Sequence, residues 1–213
     1  MHIESWIQIA AICSLGAMSP GPSLAIVINN TVSRGRTYGI FTGLGHGIGI
    51  GIWALFTALG ISKFITGDTS TSLVLQSLGS LLLAYVGYMT IRNREWNFNE
   101  ESINQSNNSR SLIKGASEGF FISILNPKIA LFFIAIFSHF VSTEYNRVEI
   151  LTVALTAAII DALWYCLVSI LLTVSRISIT IGKTGPNISL ISGVFLIFVA
   201  FYLSTQILKQ LIL

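Results

Sequence analysis

Apolar residues fill six long stretches of the chain, and polar residues gather between them. A helix crossing a bilayer needs about 20 consecutive, mostly apolar residues. Six stretches meet that length, at roughly 5–32, 38–61, 71–91, 115–141, 148–173 and 188–208. They are apolar on most faces, so their period says little beyond burial in lipid or protein. Membrane strands are shorter and alternate polar with apolar positions. The pattern therefore predicts an all-α integral membrane protein with six transmembrane helices.

Composition agrees. The chain has 213 residues, 53% hydrophobic and 10% charged, with a mean hydropathy of +0.75. Soluble domains carry about 25% charged residues, so this chain has too few charges to cover a water-exposed surface. The net charge of +3 would suit a nucleic-acid partner, but the basic residues sit in the loops and the remainder is lipid-like. No nucleic acid is expected. The N-terminus lacks the Lys or Arg of a secretory signal and its apolar run continues past Leu15-Gly16-Ala17-Met18-Ser19, so the first span is expected to be retained. Cys13 and Cys166 lie inside apolar runs and read as small buried hydrophobes.

Loop charges orient the spans. The loops after spans one, three and five hold eight basic residues: Arg34, Arg36, Arg92, Arg94, Arg110, Lys114, Arg176 and Lys183. The opposite side holds three, Lys63, Arg147 and Lys209. Basic residues favour the cytoplasmic side, which predicts a multi-pass plasma-membrane (inner-membrane) protein with both termini outside. The longest polar stretch, 92–114, is rich in Asn and Ser and reads as a cytoplasmic linker. It separates a first three-helix unit, 1–91, from a second, 115–213.

The two units resemble each other weakly. Pro20 answers Pro127, Trp53 answers Trp164, and Gly79 and Tyr88 answer Gly193 and Tyr202, at offsets of 107, 111, 114 and 114. With three spans per unit, the second enters the membrane from the opposite side. This is an inverted-topology repeat, a pattern of secondary transporters.

Helix-breaking residues interrupt spans one and four near their centres. Span one carries Ser19-Pro20-Gly21-Pro22 and span four carries Asn126-Pro127-Lys128. Proline inside a helix costs about 3 kcal/mol. Ser19 and Asn126 are good N-cap residues, and a proline suits the first helical position that follows. Each motif reads as a helix restarting at mid-membrane. Two N-termini would meet there, and their free N–H groups and dipoles favour an anion such as a carboxylate.

Charges inside spans are expensive and usually functional or paired. Lys128 lies at the centre of span four and Asp161 at the centre of span five. Lys128 suits a substrate carboxylate. Asp161 suits a substrate ammonium or a coupling proton, and an ion pair between the two is the structural alternative. His46, within the glycine-rich Gly43–Gly51 stretch, is a further candidate for proton coupling. Its glycines at i, i+4 spacing let another helix approach closely. Glu118 and His139 lie near span ends and are expected to reach toward water. Tyr88, Trp164 and Tyr165 are candidate cavity residues. No nucleophile motif, nucleotide loop, cofactor motif or metal-ligand cluster emerges, so no enzyme, cofactor or bound metal is expected.

These motifs carry a resemblance to a family. Ser19-Pro-Gly-Pro22, followed by Arg34-Gly-Arg-Thr-Tyr-Gly39 and the Gly43/Gly47 pair, is similar to the first signature of the lysine-exporter superfamily (LysE/RhtB). Gly119-Phe-Phe-Ile-Ser-Ile-Leu-Asn-Pro-Lys128-Ile-Ala-Leu-Phe-Phe133 resembles its second, and Gly79-x-x-x-Leu83-x-Tyr85-x-Gly87 its third-span pattern. The chain departs from many relatives at Ser23, at Phe137-Ser-His-Phe140 and at Glu118. The resemblance implies a secondary exporter of amino acids or close derivatives, driven by proton antiport and alternating access. The helix breaks and in-span charges place substrate at Ser19, Pro20, Gly21, Pro22, Asn126, Pro127, Lys128 and Asp161, with Asp161 and His46 as candidate proton carriers. A related branch moves cadmium, so divalent-cation export is the alternative, and self-association into a homo-oligomer is left open.

Overall fold

The computed structural model describes residues 3–19, 21–64, 69–92, 111–140, 145–174 and 178–212. Within them, the side chains of 61–64, 69–72, 75, 174, 178–189, 192 and 210–212 are not described. Pro20, Arg94 and most of the 92–114 linker therefore lie outside the described residues.

All regular structure among the described residues is helical. Eight helices follow one another: α1 Ile3–Met18, α2 Pro22–Arg34, α3 Arg36–Phe64, α4 Thr69–Arg92, α5 Leu112–Ile124, α6 Pro127–Phe140, α7 Arg147–Val174 and α8 Ser178–Ile212. Expected span one is thus α1 plus α2, and expected span four is α5 plus α6. The first pair bends by 59° and the second by 58°. Pro22 and Pro127 both stand at the first helical position, where the missing N–H costs no intrahelical bond. By length and hydropathy, α3 and α7 each suffice to cross a membrane within the described residues, and each bent pair suffices when taken as one span. Helix α8 departs from expectation. It begins at Ser178 and runs through Lys183 and Pro186, which the hydropathy pattern assigned to a loop. Hydropathy marks where a segment enters lipid, whereas helical backbone can extend beyond that point because its hydrogen bonds are internal.

α3 and α7 form the axis of the bundle, with α5 against α3 and α8 against α4. The glycine-rich stretch of α3 explains why it serves two neighbours. Residues four apart share a face, so Gly43, Gly47 and Gly51 present one stripe and Gly45 and Gly49 another. The first lies on Tyr165, Ala162 and Ala158 of α7, and the second lies on Ala116 and Ser123 of α5. The sequence predicted one close partner for these glycines; the register gives two.

Contact at these stripes leaves no room for a side chain. A Cβ on Gly119 would collide with the Thr42 carbonyl oxygen and stand 3.0 Å from the His46 backbone nitrogen. Around Gly60 nothing lies within 4 Å. Gly119→Val is expected to destabilise the bundle by about 1–3 kcal/mol or more through overpacking. Gly60→Ala is expected to be neutral or to stabilise, since alanine is the better helix former. Thermal unfolding of the detergent-solubilised variants checks both.

Phe133, Ile136, Phe137, Ile9, Leu83 and Leu196 are fully buried and anchor the core. Large apolar side chains also cover the outside, among them Ile48, Phe56, Leu81, Leu163, Phe198 and Phe201. Apolar surface on this scale marks contact with lipid or another chain rather than water.

Candidate functional site

The two helix breaks face each other. α5 ends at Ile124, and Asn126 turns the chain into α6, its Oδ1 accepting from the Lys128 backbone N–H at 3.0 Å. Asn126 is thus the cap that its sequence position predicts. The other break differs from expectation. Gly21, not Ser19, occupies the N-cap of α2, and no side chain caps that end. Ser19 instead closes the last turn of α1, its N–H donating to Gly16 O at 3.1 Å. A glycine N-cap leaves the first amides of α2 without a side-chain acceptor, so this helix end keeps its positive potential open.

Side chains join the breaks. Lys128 Nζ donates to Ser19 Oγ at 2.8 Å, and Asn126 Nδ2 reaches Ser23 Oγ at 3.4 Å. Lys128 forms no ion pair among the described residues. Its ammonium has three donors, and Ser19 is its one described acceptor. A half-buried cation with neutral partners favours an incoming anion.

Asp161 finds a different partner from the one its charge suggested. Its Oδ2 lies 2.6 Å from His46 Nδ1, and the pair is almost completely buried. The Lys128–Asp161 ion pair considered from the sequence does not form. The His46 and Tyr165 rings meet in a T-shaped contact, with centroids 4.7 Å apart. The other ring nitrogen, Nε2, is buried without a hydrogen-bond partner among the described residues. An unsatisfied buried polar atom costs about 1–3 kcal/mol, and such atoms cluster where a proton, water or ligand belongs.

One cavity gathers these groups, with about 60 Å³ open to the centres of water-sized molecules. A single ordered water needs about 15 Å³ on that measure, so the space suits a small ligand. Of the sequence-predicted residues, Ser19, Gly21, Pro22, Asn126, Lys128, Asp161 and His46 line it. Pro127 shapes the break but is exposed and does not line the cavity, and Pro20 is outside the described residues. Among the candidate aromatics Tyr165 lines it; Trp164 does not, and Tyr88 points outward, half exposed. Sequence reasoning missed Ser23 and the apolar wall, which includes Val86, Phe132 and Leu196. Those apolar positions carry no local signal, because they look like every other core residue.

A second polar cluster ties α2, α3 and α5 at the other end of the bundle. Glu118 accepts from Arg34 Nη1 at 3.0 and 3.2 Å and from Asn30 Nδ2 at 2.8 Å. Asn30 also donates to Thr42 at 3.1 Å, and Arg34 donates to the Tyr38 hydroxyl. Glu118 is therefore held by partners on α2 while its side chain stays about a quarter exposed. His139 likewise meets Ser80 at 2.8 Å. Glu118→Ala leaves an Asn30 donor unsatisfied at a site only 2% exposed. It is expected to cost about 1–3 kcal/mol, read as an earlier thermal transition in detergent.

A helical bundle with an apolar exterior, two mid-bundle helix breaks and a small charged cavity between them has the makings of a membrane translocator. The chain belongs to the LysE type translocator family, whose model matches residues 14–207. It is 28% identical over 196 residues to YcgF of Bacillus subtilis (strain 168), provisionally named an amino acid efflux protein, covering 90% of this chain and 91% of that one. It is 27% identical over 139 residues to the threonine efflux protein of Escherichia coli (strain K12), covering 64% of this chain and 66% of that one. A Haemophilus influenzae membrane protein of uncharacterised role is 25% identical over 152 residues, 71% of each chain. No solved structure matches the chain. The protein is a multi-pass membrane transporter.

Proposed function

We propose that the protein exports amino acids or close derivatives across the plasma membrane in exchange for protons. One observation carries the reading: both helix breaks, Lys128 and the Asp161–His46 pair meet in a single cavity. A zwitterion needs a cationic and an anionic partner a few ångströms apart, and this cavity supplies both. The substrate carboxylate binds Lys128, Ser19 and the uncapped N-terminus of α2 near Gly21 and Pro22, where charge and dipole add. Asn126 and Pro127 hold the opposing end. The substrate ammonium takes Asp161.

Coupling follows from competition for one carboxylate. Asp161 shared with a proton on His46 cannot also hold a substrate ammonium. Substrate arriving from the cytoplasm displaces the proton, and a proton arriving from outside releases the substrate. In either state the Asp161 carboxylate keeps a cationic partner, the proton shared with His46 or the substrate ammonium, while Lys128 waits for the substrate carboxylate.

The transport cycle uses six spans arranged as two inverted repeats, α1–α4 and α5–α8, with both termini outside. Packing at the α3–α7 crossing supports the repeat. The offset of 111 that relates Trp53 to Trp164 also relates Gly47 to Ala158 and Gly51 to Ala162. The contacts Gly47–Ala162 and Gly51–Ala158 are exchanged by that operation, and Gly47–Ala158 maps onto itself. The two halves are not identical, as expected for one of two alternating states. Trp53 Nε1 donates to the carbonyl of Ile124, the last residue of α5, at 3.2 Å, whereas Trp164 Nε1 is buried without a partner among the described residues. On this reading the Asn30–Glu118–Arg34 cluster stands at the cytoplasmic end and parts as the repeats rock.

Purified protein in liposomes with an imposed pH gradient tests the reading. Labelled amino acids moving against proton flux are the expected result. Cadmium movement without amino-acid movement would replace it with cation export. Against that alternative stands the lack of any cluster of three or more His, Cys, Asp or Glu among the described residues.

A further inference from the structure

The cavity also restricts the substrate's side chain. Resting on the export reading above, we propose that the site takes amino acids with short, uncharged side chains, and that Phe132, laid across Gly16, sets the length limit.

Charge comes first. The cavity is lined by one lysine, one aspartate and one histidine, and the last two are bonded to each other. A zwitterion's own carboxylate and ammonium consume Lys128 and Asp161. A lysine or arginine side chain would bring a second cation with no second carboxylate to meet it, beside the Lys128 ammonium. A glutamate side chain would bring a second anion with its only free cation already taken. Burying either charge unpaired is prohibitive.

The wall comes second. Away from the breaks the lining is apolar, with Ile50, Val86, Phe132, Phe133 and Leu196. Phe132 stands over the one backbone position on that wall with no side chain: a Cβ on Gly16 would lie 2.9 and 3.0 Å from its two ring Cε atoms. The Phe132 ring is braced edge to face by Phe133 at 5.5 Å, and Phe133 in turn by Phe137 at 5.4 Å. Phe133 and Phe137 are fully buried. A ring packed on the Gly16 backbone and braced by Phe133 has little room to shift for a longer substrate.

The test uses proteoliposomes of the full chain, preloaded with one labelled amino acid at a time: alanine, serine, threonine, valine, leucine, phenylalanine, lysine or glutamate. The wild type is expected to move the short uncharged group about ten-fold or more faster than phenylalanine, lysine or glutamate, the discrimination a few misplaced methylenes can supply. Phe132→Ala, with Phe132→Leu as a milder variant should the first fail to fold, is expected to raise leucine and phenylalanine relative to alanine about five-fold or more, without raising lysine. Lysine or glutamate moving as fast as alanine overturns the inference and leaves the export reading standing. An unchanged leucine-to-alanine ratio in a folded Phe132 variant removes Phe132 as the limit. No movement of any amino acid by folded wild type overturns the export reading itself, and this inference with it.

Discussion

Lys128→Met is expected to abolish amino-acid transport while leaving the protein folded and inserted. Methionine keeps the length of the lysine stem and drops the charge. The stem therefore still fills its place on the cavity wall, and the lost hydrogen bond to Ser19 Oγ is a neutral partner's loss. Removing a cation from the middle of a span relieves a desolvation cost rather than adding one, so thermal stability should hold or rise. Substrate binding should fall by about 100-fold or more, the usual consequence of deleting one side of a buried charged contact. Lys128→Arg retains the charge but replaces a compact ammonium with a planar fork, and an intermediate defect is expected. Ser19→Ala should be milder still, because it removes one neutral partner of the carboxylate and leaves the Lys128 charge in place. Transport by Lys128→Met at the wild-type rate would exclude Lys128 from the substrate site. A binding assay on solubilised protein separates this from a defect in the later conformational step.

The placement of the helix breaks was legible in the sequence because proline and glycine act locally. Pro22 and Pro127 can stand at a helix start but not in a helix interior, so the bends fall where composition put them. Details that depend on neighbours were not legible. Ser19 and Gly21 are both acceptable N-caps, and only the turn closed by Ser19 N–H on Gly16 O decides for Gly21. Charge alone suggested Lys128 as the partner of Asp161. The register of α3 on α7 decides for His46: Gly47 rests on Ala158 and Ala162, which brings the adjacent His46 against Asp161. Glu118 is an acid near a span end by hydropathy, and its binding to Asn30 and Arg34 follows from Gly119 seating α5 directly on Thr42. The apolar wall was invisible for a plainer reason. In a chain that is 53% hydrophobic, a cavity-lining phenylalanine has the same local pattern as one that faces lipid.

Asp161→Asn is expected to uncouple the transporter from protons. Asparagine has nearly the same shape and still offers an oxygen 2.6 Å from His46 Nδ1 in the present geometry, so the local packing should survive. It cannot bind a proton and cannot neutralise an ammonium. If one carboxylate serves both ligands in turn, both functions fail together: pH-driven transport and exchange of labelled for unlabelled substrate should each fall about 100-fold. If Asp161 carries only the proton, exchange persists while the pH gradient loses its effect. The two readings of Asp161 therefore separate in one preparation. His46 offers the complementary measurement. It positions the carboxylate and holds the shared proton, so His46→Gln should weaken coupling more than binding. A drop of about ten-fold in pH-driven transport with nearly unchanged exchange is expected. Equal loss of both activities in His46→Gln would make the histidine part of the substrate site. Full pH-driven transport in Asp161→Asn would exclude the pair from coupling and move the proton to a group outside this cavity.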